Sequence, residues 1–349
     1  MDWLELASVL SKAGCSVMRE RWFRGRTTRV FTLQWHLTNA CGYHCRHCYD
    51  RTTRQQLSLP EALTAFAAFR AFCRTRRVRP QISLTGGDPL LFRGFWELYR
   101  AIADARVPVS ILGNPTDGET LDALLQIRAP EYYQVSLEGL SAHNDLIRGA
   151  GHFDKTLTFL RAARQRGLTT HVMFTLTRDN LDQFLALAEE LRGLTSRFTF
   201  NRLAQVGRGA DLAQPARDDY SAFLLRCLAA RRRNPVLGFK DNLFNIVRHR
   251  QRRPLFPGCT GQGCGAAFNF VALLPDGEVH ACRKFPSLLG NLRTARLADL
   301  YDGPAARRYR EGAAACRKCR LKPSCGGCLA VTYGCGLDPL CDRDPFCFV

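Results

Sequence analysis

From Arg29 onward the chain alternates short runs of β-branched and aromatic residues with longer stretches whose apolar positions recur at helical spacing. The runs predict strands at 30–37, 81–85, 108–113, 132–137, 170–176 and 197–203. Helices are predicted near 60–74, 92–106, 117–128, 154–166, 181–192 and 216–232. Six successive β-then-α units require an α/β architecture, a parallel sheet with helices outside it. The pattern alone does not choose between an open doubly wound sheet and a partial barrel. Upstream, Trp3, Leu4, Leu6, Val9 and Leu10 fall at helical spacing. They predict a short amphipathic lead-in over 1–28 that packs against one end of the sheet, too short for a separate peptide-binding domain. After the helix ending near Arg233, residues 234–258 read as a basic, Pro-bounded connector. Beyond it, Leu273-Leu-Pro-Asp-Gly-Glu-Val-His280 predicts a β-hairpin by its Asp-Gly turn.

With 349 residues the chain is long enough for about two domains and a sizeable core. The formal charge of +19 raises nucleic acid as a partner. The basic residues are dispersed, however, with only short runs such as Arg231-Arg-Arg233, and no nucleic-acid motif accompanies them. A solvated surface and an acidic peptide partner fit that distribution better. No apolar run has the length of a membrane span, and Met1-Asp-Trp-Leu-Glu-Leu-Ala lacks the basic-then-apolar order of a signal peptide. The expected location is the cytoplasm, where disulfides are rare. The 16 cysteines therefore point to metal.

The most informative stretch is Cys41-Gly-Tyr-His-Cys45-Arg-His-Cys48, directly after the first strand. Three thiolates at this spacing on one loop can hold a four-iron cluster and leave one iron open to a ligand. The alternative is a zinc knuckle completed by His44 or His47. The spacing and its place after the first strand resemble the signature of the radical S-adenosylmethionine (radical SAM) enzymes. That resemblance implies a partial (β/α)6 barrel over 29–233. It also implies a [4Fe-4S] cluster on Cys41, Cys45 and Cys48 that binds SAM at its open iron and generates a hydrogen-abstracting 5′-deoxyadenosyl radical.

Other strand ends match the same family. Thr85-Gly-Gly-Asp-Pro89 resembles its Gly-Gly-Glu motif, which implies that Gly86, Gly87 and Asp88 meet the SAM amino group. Here the shorter Asp88 replaces glutamate. Paired glycines also allow close backbone approach to a ligand. Asn114, at the end of the third strand, resembles a polar residue found there in relatives. Ser136 and Glu138, in Val135-Ser-Leu-Glu-Gly139, correspond to positions near the ribose. Arg148, in His143-Asn-Asp-Leu-Ile-Arg-Gly149, corresponds to the arginine that reaches the SAM carboxylate, for which its fixed fork is suited. His47 holds the place of an aromatic ring against the adenine. Thr175, Asn180 and Asn201-Arg-Leu203 lie at the last two strand ends, where pocket, core and turn roles are equally open.

From Cys259 to Cys347, ten cysteines fall within 89 residues. With the hairpin ending at Cys282, this block resembles the SPASM extension of peptide-modifying radical SAM enzymes: a small Cys-rich domain of hairpin, loops and short helices over 259–349. The resemblance implies two auxiliary four-iron clusters. One falls to Cys259, Cys264, Cys282 and Cys328, and the other to Cys316, Cys319, Cys325 and Cys347. Cys325-Gly-Gly-Cys328 is one residue shorter than the usual gap, which leaves Cys335 and Cys341 as rival ligands or, unligated, as hydrogen donors. A zinc ribbon on Cys316, Cys319, Cys325 and Cys328 is the metal alternative. Cys15, Cys73 and Cys227 read as buried core thiols.

The first function implied is maturation of a ribosomally made precursor peptide by crosslink, thioether, epimerisation or excision. A reductant such as flavodoxin or ferredoxin would supply electrons. No leader-binding domain is apparent, so recognition falls to the barrel, the SPASM block or a separate leader-binding protein. Similarity to selenobiotic-type and nif11-type maturases is faint. A second reading is oxidation of a protein Cys or Ser to formylglycine, but those maturases carry a basic aspartate after the hairpin cysteine, where Arg283 stands here. Arg283 and Lys284 suit a carboxylate-bearing substrate. A third is a non-catalytic electron-transfer protein, which would not need the SAM-binding positions.

Overall fold

The computed structural model describes residues 29–50, 52–261 and 263–349; the lead-in and Cys15 lie outside them. The chain folds around one continuous nine-stranded sheet, ordered β6-β5-β4-β3-β2-β1-β7-β8-β9. The first six strands are β1 (Val30–Thr38), β2 (Arg79–Gly86), β3 (Val109–Leu112), β4 (Tyr133–Ser136), β5 (Thr170–Leu176) and β6 (Arg197–Arg202). They pair in parallel in chain order, and the sheet stays open rather than closing on itself.

Helices cross over between them: α1 (Leu59–Thr75), α2 (Phe95–Asp104), α3 (Gly118–Ile127), α4 (Ser141–Arg148), α5 (His152–Gln165), α6 (Gln183–Glu190) and α7 (Arg217–Ala230). Local chemistry starts α1 firmly. Ser58 caps it and Glu61 reaches back to the Ser58 N–H at 2.8 Å, a reciprocal capping box. Its buried face of Phe66, Phe69, Phe72 and Cys73 lies in the main core. The helix α4 was not legible in the sequence because it buries only Asn144 and Ile147.

β1 shows how the sheet separates core from site. Phe31, Leu33, Trp35 and Leu37 are buried in the apolar core. The intervening His36 and Thr38 line an open cavity at the C-terminal ends of the strands, because successive side chains leave a strand on opposite faces.

The cysteine-rich block is not a separate bead. β7 (Phe270–Leu273) pairs in parallel with β1, joining Thr32 to Phe270 and Trp35 to Leu273. The expected hairpin to β8 (Glu278–His280) and then β9 (Leu288–Asn291) extends the sheet antiparallel from there. Arg54 fastens the loop after the first cysteines to the hairpin turn, at 2.6 Å from Asp276 and 3.0 Å from Glu278. The stretch 234–258 also packs closely. Leu237 bridges Phe198 of β6, and α8 (Phe244–Arg250) buries Phe244, Ile246 and Val247. Three short helices, α9 (Leu297–Asp302), α10 (Pro304–Glu311) and α11 (Leu329–Gly334), complete the C-terminal block.

A buried ion-pair triad ties the two parts. Arg202, at the end of β6, meets Asp241 at 2.8 Å and Asp344 at 2.7 Å. Among the described residues no helix is long and apolar enough to cross a membrane.

Candidate active site

The cysteine loop is held against the end of β2 by backbone contacts that need glycine. The Gly87 N–H donates to the Thr38 carbonyl at 2.8 Å, and the Asp88 N–H to that of Ala40 at 2.7 Å. A Cβ on Gly86, whose φ is +135°, would fall 2.3 Å from the Thr38 oxygen, and one on Gly87 would fall 2.2 Å from the Ala40 oxygen. The paired glycines therefore let two backbone segments meet, in addition to any ligand contact. The Arg46 N–H donates to the Ile147 carbonyl at 2.9 Å, which pins the loop to α4 as well.

Cys41, Cys45 and Cys48 line a cavity of about 500 Å³, within the range for one drug-sized ligand. Gly86, Gly87, Asn114, Ser136, Arg148, His47, Thr175 and Asn201 share its wall. Asn114 also points its amide at the Cys41 Sγ (3.6 Å) and at Asp88 Oδ2 (3.2 Å). Asp88 and Glu138 stand behind this wall. Asp88 caps the short turn that follows it, accepting from the Leu90 N–H at 3.2 Å. Its carboxyl is raised by burial.

Glu138 is 1% exposed and accepts from Arg148 Nη2 at 2.5 Å, Arg148 Nε at 3.0 Å and the Thr175 N–H at 2.6 Å. Burial alone would raise its pKa, but the charges and donors around it hold it below the usual carboxylate range. His47, 3.3 Å from Glu138, is pushed down to about 4, chiefly by burial. The imidazole is thus neutral near pH 7, and the permanent charge of Arg148 is what keeps Glu138 ionised. Arg148 in turn comes within 3.8 Å of the Cys45 Sγ. Asn180 braces this turn, donating to the Glu138 and Thr175 carbonyls at 2.9 Å each, and so has a structural role.

The cavity also recruits residues that the sequence reading passed over. His36 and Tyr49 face each other at 3.2 Å. Burial lowers the His36 pKa well below its ordinary value and raises that of Tyr49 to about 12. Their signals were a histidine on the polar face of β1 and a tyrosine next to Cys48. Arg283 and Lys284, just after β8, line the same cavity.

Further out, eight of the twelve other described cysteines fall into two groups. Burial raises the Cys264 thiol, and the charges of Cys328, Cys282 and Cys259 act on it in the same direction, so these four lie within electrostatic reach of one another. Cys316, Cys319, Cys325 and Cys347 line a second, smaller cavity. Cys335 stands apart, with Gln214 Nε2 3.4 Å from its sulfur, and Cys341 is exposed. Neither lines the main cavity. Cys73 and Cys227 are buried in the core.

The zinc alternatives are not supported by this arrangement. The proposed ribbon's Cys328 belongs with Cys264, His44 is exposed, and His47 is turned to Glu138. Among the described residues no three His, Cys, Asp or Glu side chains converge on a single-ion position.

Residues 35–191 match the family model of the radical SAM superfamily, and residues 264–328 match that of the SPASM iron-sulfur cluster-binding domain. The mycofactocin maturase MftC of Mycolicibacterium smegmatis is 30% identical over 90% of this chain and 82% of its own. The chain belongs to the radical SAM superfamily. An AdoMet-dependent heme synthase of Methanosarcina barkeri is 26% identical over 90% of this chain and 95% of its own. In fold, the radical SAM/SPASM chain resembles Streptococcus suis SuiB bound to its precursor peptide SuiA, with a TM-score of 0.72 at 16% identity, over 95% of this chain and 79% of that one.

Membership implies a SAM-binding [4Fe-4S] cluster, SAM and auxiliary clusters, and the residues present fit them. Three thiols share one cavity with a guanidinium, and the buried Nδ1 of His47 in its wall has no partner among the described residues. The electron-transfer alternative falls with membership, since this is an enzyme family.

Proposed function

We propose that this radical SAM/SPASM enzyme modifies a ribosomally made precursor peptide. The observation that carries the reading is the composition of the main cavity. Cys41, Cys45 and Cys48 share its wall with Arg283 and Lys284, which directly follow Cys282 of the first auxiliary group. A substrate held there would meet the SAM site and the turn that leads to a redox centre. When bound, the first cluster and SAM supply one-electron cleavage of the sulfonium and hydrogen abstraction. Arg148, held by Glu138, would take the SAM carboxylate; His47 would lie neutral against the adenine; and Cys259, Cys264, Cys282 and Cys328 would hold the first auxiliary cluster. Cys316, Cys319, Cys325 and Cys347 would hold the second. A low-potential flavodoxin or ferredoxin is the matching reductant.

A cavity of about 500 Å³ that also accommodates SAM favours a side chain of a threaded peptide over a second large, rigid molecule. The similarity to a protein named mycofactocin maturase, and the fold shared with SuiB, which binds a precursor peptide, support the same substrate class. Formylglycine formation fits less well, because the residue after Cys282 is an arginine, whose side chain offers hydrogen-bond donors and no acceptor, rather than an aspartate. Porphyrin chemistry is the second reading, favoured by the heme synthase that matches over 95% of its length.

The test is anaerobic reconstitution with iron and sulfide, followed by SAM and dithionite, with 5′-deoxyadenosine quantified. The native protein should produce it, and the Cys41→Ala, Cys45→Ala, Cys48→Ala triple variant should not. Short open frames beside the gene are then co-expressed and weighed. A mass change identifies peptide maturation. Turnover of an iron porphyrin with no peptide change would establish the second reading instead.

A further inference from the structure

Among the described residues, five cationic side chains line the main cavity: Arg54, Arg148, Arg202, Arg283 and Lys284. The first three have carboxylate partners. Arg54 meets Asp276 and Glu278, Arg148 meets Glu138, and Arg202 meets Asp241 and Asp344. Arg283 and Lys284 form no ion pair among the described residues. Arg283 Nη1 donates to the neutral amide oxygen of Gln34 at 3.1 Å. Its buried Nε has no hydrogen-bond partner among the described residues. With Nη1 occupied, the free edge is the Nε and Nη2 pair, the fork that accepts a carboxylate through two parallel hydrogen bonds. A buried donor left unpaired is costly unless a ligand satisfies it.

The turn that carries Arg283 is fixed from both sides. The Ala281 N–H donates to the Ser287 carbonyl at 2.9 Å. The Ser287 hydroxyl accepts from the Cys282 N–H at 3.0 Å and donates to the Cys282 carbonyl at 2.9 Å. Phe285, two residues on, is buried against Tyr309 and Tyr333. The guanidinium is therefore placed by a braced loop rather than by a free chain, which lowers the ordering cost of binding. Lys284, the next residue, lines the same cavity, but among the described residues no hydrogen bond or ion pair fixes its ammonium. Arg283 is left as the anchor.

We infer that the turn after Cys282 presents a carboxylate-binding position to the cavity, anchored by Arg283 with Lys284 beside it. The peptide it takes carries an acidic side chain next to the residue that reacts. This rests on the proposed reading of the cavity as the site of peptide modification.

The probes are three decapeptides titrated calorimetrically into the cluster-loaded, SAM-bound enzyme. They are a terminally blocked glutamate-rich peptide, its blocked glutamine counterpart, and the glutamine peptide with a free C-terminus. The blocked glutamate peptide should bind at least about tenfold more tightly than the blocked glutamine one, the scale of a charge-assisted hydrogen bond. Arg283→Gln should abolish that preference and Arg283→Lys should restore part of it. Arg100→Gln, on the exposed outer side of α2, should leave it unchanged. Preference for the free C-terminus alone would support the site but assign its carboxylate to the chain end.

Equal affinity for the glutamate and glutamine peptides overturns the inference. So does an equal loss in Arg100→Gln, which would mean general surface charge. Arg283-dependent binding of a propionate-bearing iron porphyrin, with no peptide preference, overturns it in favour of a porphyrin. 5′-Deoxyadenosine is measured on the same native preparation. Intact SAM cleavage without carboxylate preference sinks this inference alone, whereas absent cleavage sinks the reading it rests on.

Discussion

Replacing Glu138 by glutamine tests the electrostatics of the site with almost no change of shape. Both carboxylate oxygens are in use: Oε1 accepts from Arg148 Nε and Nη2, and Oε2 from the Thr175 N–H. An amide offers only one acceptor, so either orientation sets an NH2 group against a donor. The change also removes the counter-charge of Arg148, whose side chain is 11% exposed. Breaking a buried pair from one side costs about 3–5 kcal/mol. Because Arg148 is then no longer held at the cavity wall, SAM affinity should fall about 10- to 100-fold.

The Glu138→Gln, Arg148→Gln double variant should be more stable than Glu138→Gln alone, since no unpaired charge remains, yet bind SAM no better than Arg148→Gln. Anaerobic urea denaturation and SAM equilibrium dialysis on cluster-loaded protein read both quantities. The reasoning is refuted if Glu138→Gln stays within about 1 kcal/mol of native. It is equally refuted if the double variant loses the sum of the two singles.

Gly87→Ala sets a Cβ 2.2 Å from the Ala40 oxygen. It should deplete iron from the first cluster and leave the auxiliary iron in place, by iron assay and electron paramagnetic resonance. Cys264→Ala and Cys316→Ala should each lose about four irons from different centres, whereas Cys335→Ala and Cys341→Ala should keep the full complement. His152 is fully buried, and burial pushes its pKa down to about 3 from 6.5. Below pH 6.5 the unfolded chain takes up a proton that the folded one refuses, so stability falls as pH drops toward 3. The His152 share of the slope should approach about 1.4 kcal/mol per pH unit, on top of the shares of His36 and His47, whose pKa values are lowered too. His152→Gln should reduce the slope by about that share between about pH 6.5 and pH 5 in urea denaturation, and an unchanged slope would show that His152 does not contribute to it.

Much of this protein is local in its sequence. The alternation of apolar runs and helical stretches placed all six parallel strands within about two residues, and Asp276-Gly277 marked the hairpin turn. Cys41, Cys45 and Cys48 were legible because a three-thiol loop needs only short spacing and a preceding strand. The helix α4 was hidden because few of its residues face the core. Tertiary structure alone decided the rest. The pairing of β7 with β1 joins residues more than two hundred positions apart, and period-two patterning says which face of a strand is buried but never which strand lies beside it. That pairing brings Arg283 and Lys284 onto the cavity of Cys41. The packing of β1 against β2 is what sets Gly86 and Gly87 against the backbone of Thr38 and Ala40. Sequence determined which groups are present and how each element forms; only long-range packing determined which charges meet a partner and which, among the described residues, do not.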